Sequence, residues 1–288
     1  MKIYKKEAMK NFTSFKIGGA ADIIAEPKDI KELVELIKFL RNKGIIFYII
    51  GNGTNVLVSD KGIRGCVVHL GKNLSKIKVN GTKIEAESGA LLSEIAAIAL
   101  KNKLQGFEQL SGIPGSIGGA VAMNAGAYDK EIKDVVTSVN AINEQGRVVK
   151  LNRDALDFSY RRSAILEKNF IVTSVTINLQ LGDKNEIVAN MNKYAELRKS
   201  KQPLEWASAG STFKRPEGKY AALLIKDSNL MGECVGDAEV STKHAGFIIN
   251  KGNAKASDVY KLMNIVKADV KTYFNVDLEP EIKLWGKF

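Results

Sequence analysis

Ser111-Gly112-Ile113-Pro114-Gly115-Ser116-Ile117-Gly118-Gly119-Ala120-Val121-Ala122-Met123-Asn124-Ala125-Gly126-Ala127 is the stretch on which the reading of the fold turns. Most of it is Gly, Ala or Ser, yet it is too apolar for a linker. Gly112, Gly115, Gly118 and Gly119 would each weaken a helix or strand by roughly 0.5–1 kcal/mol relative to Ala. That loss is tolerable where a flat or extended ligand needs close approach to the backbone. A close-packed core of small residues is the alternative. A second cluster, Gly51-Asn52-Gly53-Thr54-Asn55, follows the apolar run Ile45–Ile50. It is no Rossmann fingerprint, because Val56 holds the third glycine position and the chain runs on into a strand rather than a helix. No Gly-x-x-x-x-Gly-Lys-Ser/Thr run occurs, which excludes a P-loop. What remains is either a plain tight turn or a nest of N–H groups that can hold a pyrophosphate. Two such segments in one chain point to a dinucleotide lying between two small lobes.

Outside these segments the chain is ordinary. Its 288 residues suit two or three units, since single cores stop growing near ~250–300 residues. At 45% hydrophobic and 26% charged, it is neither disordered, collagenous nor coiled coil. The run Ile45–Ile50 falls far short of the ~20 residues that cross a bilayer, so no membrane association is expected. Lys2, Lys5, Lys6 and Lys10 make the start basic, but no apolar stretch of ~7–15 residues follows as in a signal peptide. The only cysteines are Cys66 and Cys234 and the only histidines His69 and His244, which argues against a disulfide scaffold or metal site and for a reducing cytosol. Lys+Arg 43 against Asp+Glu 32 gives 43 − 32 = +11. Those cations are scattered among acids with no aromatic interleaving, which lacks the cues of a nucleic-acid binder; small anionic ligands drawn in by a positive field are the other reading, and charge alone decides neither.

The periodicity predicts a helix from Asp29 to about Asn42, with Asp29 and Glu32 as a capping box and Gly44 as its stop. Strands are expected at 45–50, 56–58, 65–70, 76–88 (broken at Asn80-Gly81), 135–142, 147–151, 170–181, near 234–250 and at 276–285. Further helices are expected at 92–102, 186–199, near 220–226, and at 257–273 opened by Ser257. Gln202-Pro203 marks a domain boundary. Helices and strands mix irregularly, which reads as α+β.

Phe15-Lys16-Ile17-Gly18-Gly19, the Gly51–Asp60 segment and Ser111–Gly119 together resemble the FAD-binding part of the UDP-N-acetylenolpyruvoylglucosamine reductase family. The resemblance continues in the family's order through Tyr160-Arg161-Arg162-Ser163, Ser200-Lys201-Gln202-Pro203, Gly210-Ser211-Thr212-Phe213-Lys214, Lys243-His244-Ala245-Gly246-Phe247 and Leu278-Glu279-Pro280-Glu281-Ile282. It implies an α+β flavoprotein with an FAD-binding fold of the vanillyl-alcohol oxidase/p-cresol methylhydroxylase type in two lobes and a C-terminal α+β substrate domain. The corresponding expectation is lobe 1 at 1–70 with the tail 282–288, lobe 2 at 71–202 and the substrate domain at 203–281.

The resemblance further implies non-covalent FAD, NADPH as reductant, a UDP-sugar substrate taken in the NADPH pocket in turn, and a monomer. Gly51, Asn52, Gly53, Thr54, Asn55, Ser111, Gly112, Ile113, Pro114, Gly115, Gly118 and Gly119 would bind FAD. Arg161 would stabilise the substrate carboxylate, Ser211 would donate a proton to the enolate carbon and Glu281 would assist the same intermediate. Lys201, Tyr160, Lys214 and Arg215 would contact substrate. Arg215 stands where some relatives carry Asn before the proline. The span from Arg161 to Lys201 has no room for the tyrosine-bearing loop of longer members, which places the chain in the shorter class. Two rivals stay open: an FAD-linked oxidase of the same fold, and a basic nucleotide- or RNA-binding protein.

Overall fold

Asp29 accepts a hydrogen bond from the Glu32 N–H at 2.8 Å and opens the helix Ile30–Asn42, which turns Leu33, Leu36, Ile37 and Leu40 inward. Glu32 reaches past the cap, accepting from the Lys28 N–H at 2.7 Å and from the Met1 amine at 2.8 Å. Gly44, at φ +62°, ends the helix. The computed structural model describes all 288 residues. Strands and helices interleave throughout, as an α+β reading requires.

The chain forms two compact units, each assembled from three segments. Met1–Tyr4, Ile24–Asn52 and Cys66–Arg198 make the first. Its centre is an antiparallel sheet in the order Val148–Asn152, Val136–Ile142, Ile171–Asn178, Lys83–Glu87, Ile77–Asn80. Val139 faces Leu151 on one side and Val175 on the other, so the buried face is Val- and Ile-rich. The helices Leu92–Lys101 and Ile117–Ala122 pack on the same core through Leu92, Ile95, Ala96, Ile117, Ala120 and Val121. The second helix runs through the glycine-rich stretch, where no element was expected. Its glycines hide the helical pattern, and packing overrides their poor propensity.

Lys5–Ile23, Gly53–Gly65 and Lys199–Phe288 make the second unit. Its sheet runs Ala207–Ser211, Phe247–Asn250, Ala238–Val240, Cys234–Val235, and the helices Ala221–Asp227 and Ala256–Phe274 complete its core. Lys283–Trp285 pairs in parallel with Val56–Val58.

Three expectations need correcting. The strand at 276–285 is confined to Lys283–Trp285. The apolar run at 45–50 is a strand only over Phe47–Ile50, with Ile46 largely exposed. Ser257 does not open the last helix: Lys255 precedes its first residue, and the Asp60 carboxylate accepts from the Ala256 and Ser257 N–H groups at 2.8 and 2.9 Å. A cap from a distant segment leaves no local sequence signal. The strands Lys2–Ala8, Ala20–Glu26 and Ala207–Ser211 were not expected either.

Candidate active site

The two glycine clusters meet in the first unit. A Cβ on Gly51 would lie 2.1 Å from Ser116 Oγ, and Asn52 Nδ2 donates to the Pro114 carbonyl at 2.5 Å. Gly119 is open, since a Cβ there would meet only Ser116 Oγ, at 3.7 Å. Gly118 is closed: its N–H donates to the Ser88 carbonyl at 2.9 Å and a Cβ would stand 2.8 Å from Ser88 Cβ. The Ile117 N–H donates to the Ala90 carbonyl at 2.8 Å, and the Leu92 N–H to the Gly115 carbonyl at 3.0 Å. Ser111 Oγ donates to the Glu108 carbonyl at 2.7 Å, and the Ile113 N–H to the Leu110 carbonyl at 3.1 Å. Gly112 leaves room for Arg198, whose Nε would be 3.0 Å from a Cβ there.

Gly53, Thr54 and Asn55 belong to the second unit. Gly53, at φ +63°, comes so close to the Phe12 carbonyl that a Cβ would sit 2.0 Å from its oxygen. Thr54 is half-buried, and Asn55 Nδ2 donates to the Glu281 carbonyl at 3.2 Å.

Ser88 Oγ and Arg198 Nε are buried without a hydrogen-bond partner. Each such atom costs about 1–3 kcal/mol until something polar meets it. Burial also pulls the Arg198 pKa down, a penalty that an anionic ligand offsets. Orphaned donors beside close backbone approaches fit a phosphate-bearing dinucleotide such as FAD, held without a metal or lysine.

In the same unit, Ser159 and Arg162 exchange backbone hydrogen bonds at 3.2 Å and close a tight turn with Tyr160 and Arg161 at its corner. Arg161 lies at φ +56°, a left-handed conformation that costs a residue with a side chain about 1–3 kcal/mol. Strain of this size persists where surrounding contacts over-determine it. The Arg161 guanidinium lies over the Tyr160 ring, 4.8 Å from its centroid, with Nη1 4.0 Å from Glu131 Oε1.

In the second unit, Gly210, at φ +76°, and a register shift in the pairing of Ala207–Ser211 with Phe247–Asn250 bend the strand just before Ser211. Ser211 is exposed. The Glu281 N–H donates to the Thr212 carbonyl at 2.9 Å, the Lys214 N–H to the Glu279 carbonyl at 2.8 Å, and Phe213 bridges Pro280. Ser211 and Glu281, 70 residues apart in sequence, thus belong to neighbouring segments of one short ladder. Lys214 Nζ pairs with the Glu279 carboxylate, and the Arg215 guanidinium lies 4.6 Å from the Tyr220 ring centroid. Lys201, last residue of the helix Lys184–Lys201, is exposed. His244 Nδ1 accepts from the Gly246 N–H at 3.1 Å, and burial lowers its pKa, both of which favour the neutral ring.

Ser88, Glu131, Arg198 and, as a helix cap, Asp60 were not singled out from the sequence, nor was Asn124, whose amide donates to Glu131 Oε2 and to the Ser159 carbonyl. Asn124 carried one available signal, a fully polar amide inside an apolar Gly/Ala run.

Two family profiles match the chain. One is an FAD binding domain at residues 21–152, and the other is the C-terminal domain of UDP-N-acetylenolpyruvoylglucosamine reductase at residues 202–285. A curated relative named UDP-N-acetylenolpyruvoylglucosamine reductase, from Clostridium kluyveri, is 50% identical over 281 residues, covering 98% of this chain and 92% of the relative. Another of that name, from Caldanaerobacter subterraneus subsp. tengcongensis, is 52% identical over 286 residues, covering 99% and 94%. Among solved structures, UDP-N-acetylenolpyruvylglucosamine reductase from Thermus caldophilus superposes with a TM-score of 0.86 at 32% identity, over 99% of this chain and 100% of that one. Cholesterol oxidase from B. sterolicum, at 18% identity, shares the fold alone over 62% of this chain and 37% of its own, with a TM-score of 0.50.

Proposed function

The chain belongs to the UDP-N-acetylenolpyruvoylglucosamine reductase family, and from that membership we propose that it reduces UDP-N-acetylglucosamine enolpyruvate to UDP-N-acetylmuramate with NADPH, a step in making peptidoglycan precursors. FAD, held by the first unit's glycine-rich turns, would supply the hydride chemistry that links NADPH to the terminal methylene carbon of the enolpyruvyl group. Gly51, Asn52, Ser111–Gly115 and Gly119, with Thr54 and Asn55, would hold FAD, while Gly118 and Gly53, whose side-chain space is taken by Ser88 and the Phe12 carbonyl, would shape the backbone of those turns. Residues 1–70 with 282–288, and 71–202, would serve the cofactor and 203–281 the substrate, a functional division that the two compact units cut across, since Lys5–Ile23 and Gly53–Gly65 belong with Lys199–Phe288. The protein acts as a monomer in the cytoplasm, where NADPH and UDP-sugars are made.

Hydride arrival leaves negative charge on the adjacent carbon, delocalised into the carboxylate. Arg161 meets that charge with a permanently cationic, fork-shaped donor. Ser211 passes its hydroxyl proton to the carbon; a hydroxyl is a weak acid, but an enolate is a strong enough base to take it. Glu281 assists the same intermediate, while Lys201, Tyr160, Lys214 and Arg215 contact the rest of the substrate. The observation that carries the assignment of proton donor is the ladder Thr212–Lys214 against Glu279–Glu281, which brings the Ser211 and Glu281 segments together behind the bend at Gly210.

Stopped-flow measurement of the two half-reactions tests it. Ser211→Ala should reduce its flavin with NADPH at the wild-type rate, yet form product at least about 100-fold more slowly. Equal loss in both halves removes Ser211 from the role.

A further inference from the structure

Asn124 is fully buried and spends its side-chain amide on two segments at once. Its Nδ2 donates to Glu131 Oε2 at 3.1 Å and to the Ser159 carbonyl at 2.9 Å, and its Oδ1 accepts from the Lys133 N–H at 3.1 Å. Ser159 is the residue that closes the Tyr160–Arg161 turn. Glu131 is held from below by the same amide and by Lys133 Nζ, 2.6 Å from its Oε2, while its Oε1 faces Arg161 Nη1 at 4.0 Å. Gly126 makes room for this carboxylate: a Cβ there would stand 2.8 Å from Glu131 Cγ. Asn124 itself adopts φ +41°, a conformation that Asn tolerates better than most residues.

We propose that Asn124 and Glu131 are positioning residues for the enolate-forming step. Asn124 ties the strained Arg161 turn and the Glu131 carboxylate to one buried point. Glu131 then draws the Arg161 guanidinium to a fixed place by charge, so that it meets the substrate carboxylate without searching. Two features separate this arrangement from ordinary scaffolding. The buried amide joins the carboxylate to the backbone of the very turn that carries Arg161, and one carboxylate oxygen is anchored while the other is turned to the guanidinium. The proposal rests on the role given above to Arg161.

The holoenzyme variants Glu131→Gln, Asn124→Asp and the double variant Asn124→Asp/Glu131→Gln test it, with Arg161→Lys alongside. Glu131→Gln keeps an acceptor for Asn124 and Lys133 but loses the pull on Arg161; Asn124→Asp sets carboxylate against carboxylate. Each single variant should lower the rate at which substrate reoxidises the reduced flavin by about 10- to 100-fold, the scale of a small misplacement. Flavin reduction by NADPH and FAD content should stay near wild type in both, and Tm in Glu131→Gln, while Asn124→Asp, which buries a like charge beside Glu131, should also lower Tm. The double variant restores one carboxylate and one amide, and should recover much of the rate, a non-additive result that independent sites do not give. Wild-type reoxidation in both single variants, or a fall in both half-reactions that tracks FAD content or Tm, overturns the proposal. A slow Arg161→Lys beside normal neighbours sinks the positioning idea alone. A normal Arg161→Lys removes Arg161 from the reaction and takes the proposal with it.

Discussion

At Gly118 a methyl group would stand 2.8 Å from Ser88 Cβ and 3.0 Å from the Ser88 carbonyl oxygen, and neither atom is the loose end of a flexible side chain. Gly118→Ala should therefore destabilise the apoprotein by about 1–3 kcal/mol, the usual cost of overpacking. Urea denaturation without FAD checks this. An apoprotein as stable as wild type, with a loss seen only in the holoenzyme, would mean that the clash is with the cofactor and not with Ser88. The distinction shows how far the site could be read from residues alone. A glycine leaves the same gap in a sequence whether a ligand or another backbone fills it. Gly53, filled by the Phe12 carbonyl, and Gly119, open on all but one side, look alike until the chain is folded. Arg161, Ser211 and Glu281 were legible only through motif resemblance. The left-handed turn at Arg161 depends on contacts 35 and 30 residues away in sequence, from Asn124 to Ser159 and from Glu131 to Arg161, which no local pattern announces.

Elements were legible wherever their ends were marked locally. Asp29 and Gly44 bracket the helix Ile30–Asn42, and Gly81, at φ +59°, turns the hairpin between Ile77–Asn80 and Lys83–Glu87. The strand Lys2–Ala8 escaped notice because most of its residues are lysines or exposed, so it shows no alternation. The helix Ala256–Phe274 is the instructive case. Val259, Leu262, Met263, Val266 and Val270 give it a clear apolar face, yet its start is capped not only locally by Asp258, which accepts from the Lys255 N–H at 3.0 Å, but also from almost 200 residues upstream by Asp60. Both carboxylate oxygens take N–H groups that the first turn cannot bond internally, and the negative charge sits favourably at the positive end of the helix dipole. Asp60→Ala should lower the stability of the protein by about 0.5–2 kcal/mol, the range of a lost N-cap. Asp60→Asn, which keeps one acceptor, should lose less. Equal denaturation midpoints for Asp60→Ala and wild type would show that water replaces the cap at no cost.

For the molecule as a whole, order along the chain carried more than any single motif. The glycine clusters, Tyr160-Arg161, Gly210-Ser211 and Glu279-Pro280-Glu281 stand in the order on which the resemblance rested, and relatives at 50% and 52% identity span nearly all of the chain. What order could not disclose is that each compact unit is assembled from three separated segments. The formal charge of +11 was ambiguous as sequence, because scattered lysines serve a nucleic acid and a small anion equally well. With a UDP-sugar carrying a diphosphate and a carboxylate, the charge acquires a definite consequence. A positive field raises the local concentration of such a substrate and speeds its capture. Screening shortens the reach of that field from about 30 Å at 0.01 M salt to about 8 Å at 0.15 M. Over that range kcat/KM for the UDP-sugar should fall several-fold while kcat stays constant, because salt weakens the approach of substrate and not the chemistry that follows binding. Steady-state kinetics at constant pH in a series of salt concentrations decides it. A flat kcat/KM would mean that the excess lysines are locally neutralised, as Lys133 by Glu131 and Lys271 by Asp277 are, and that the net charge does not steer substrate to the protein.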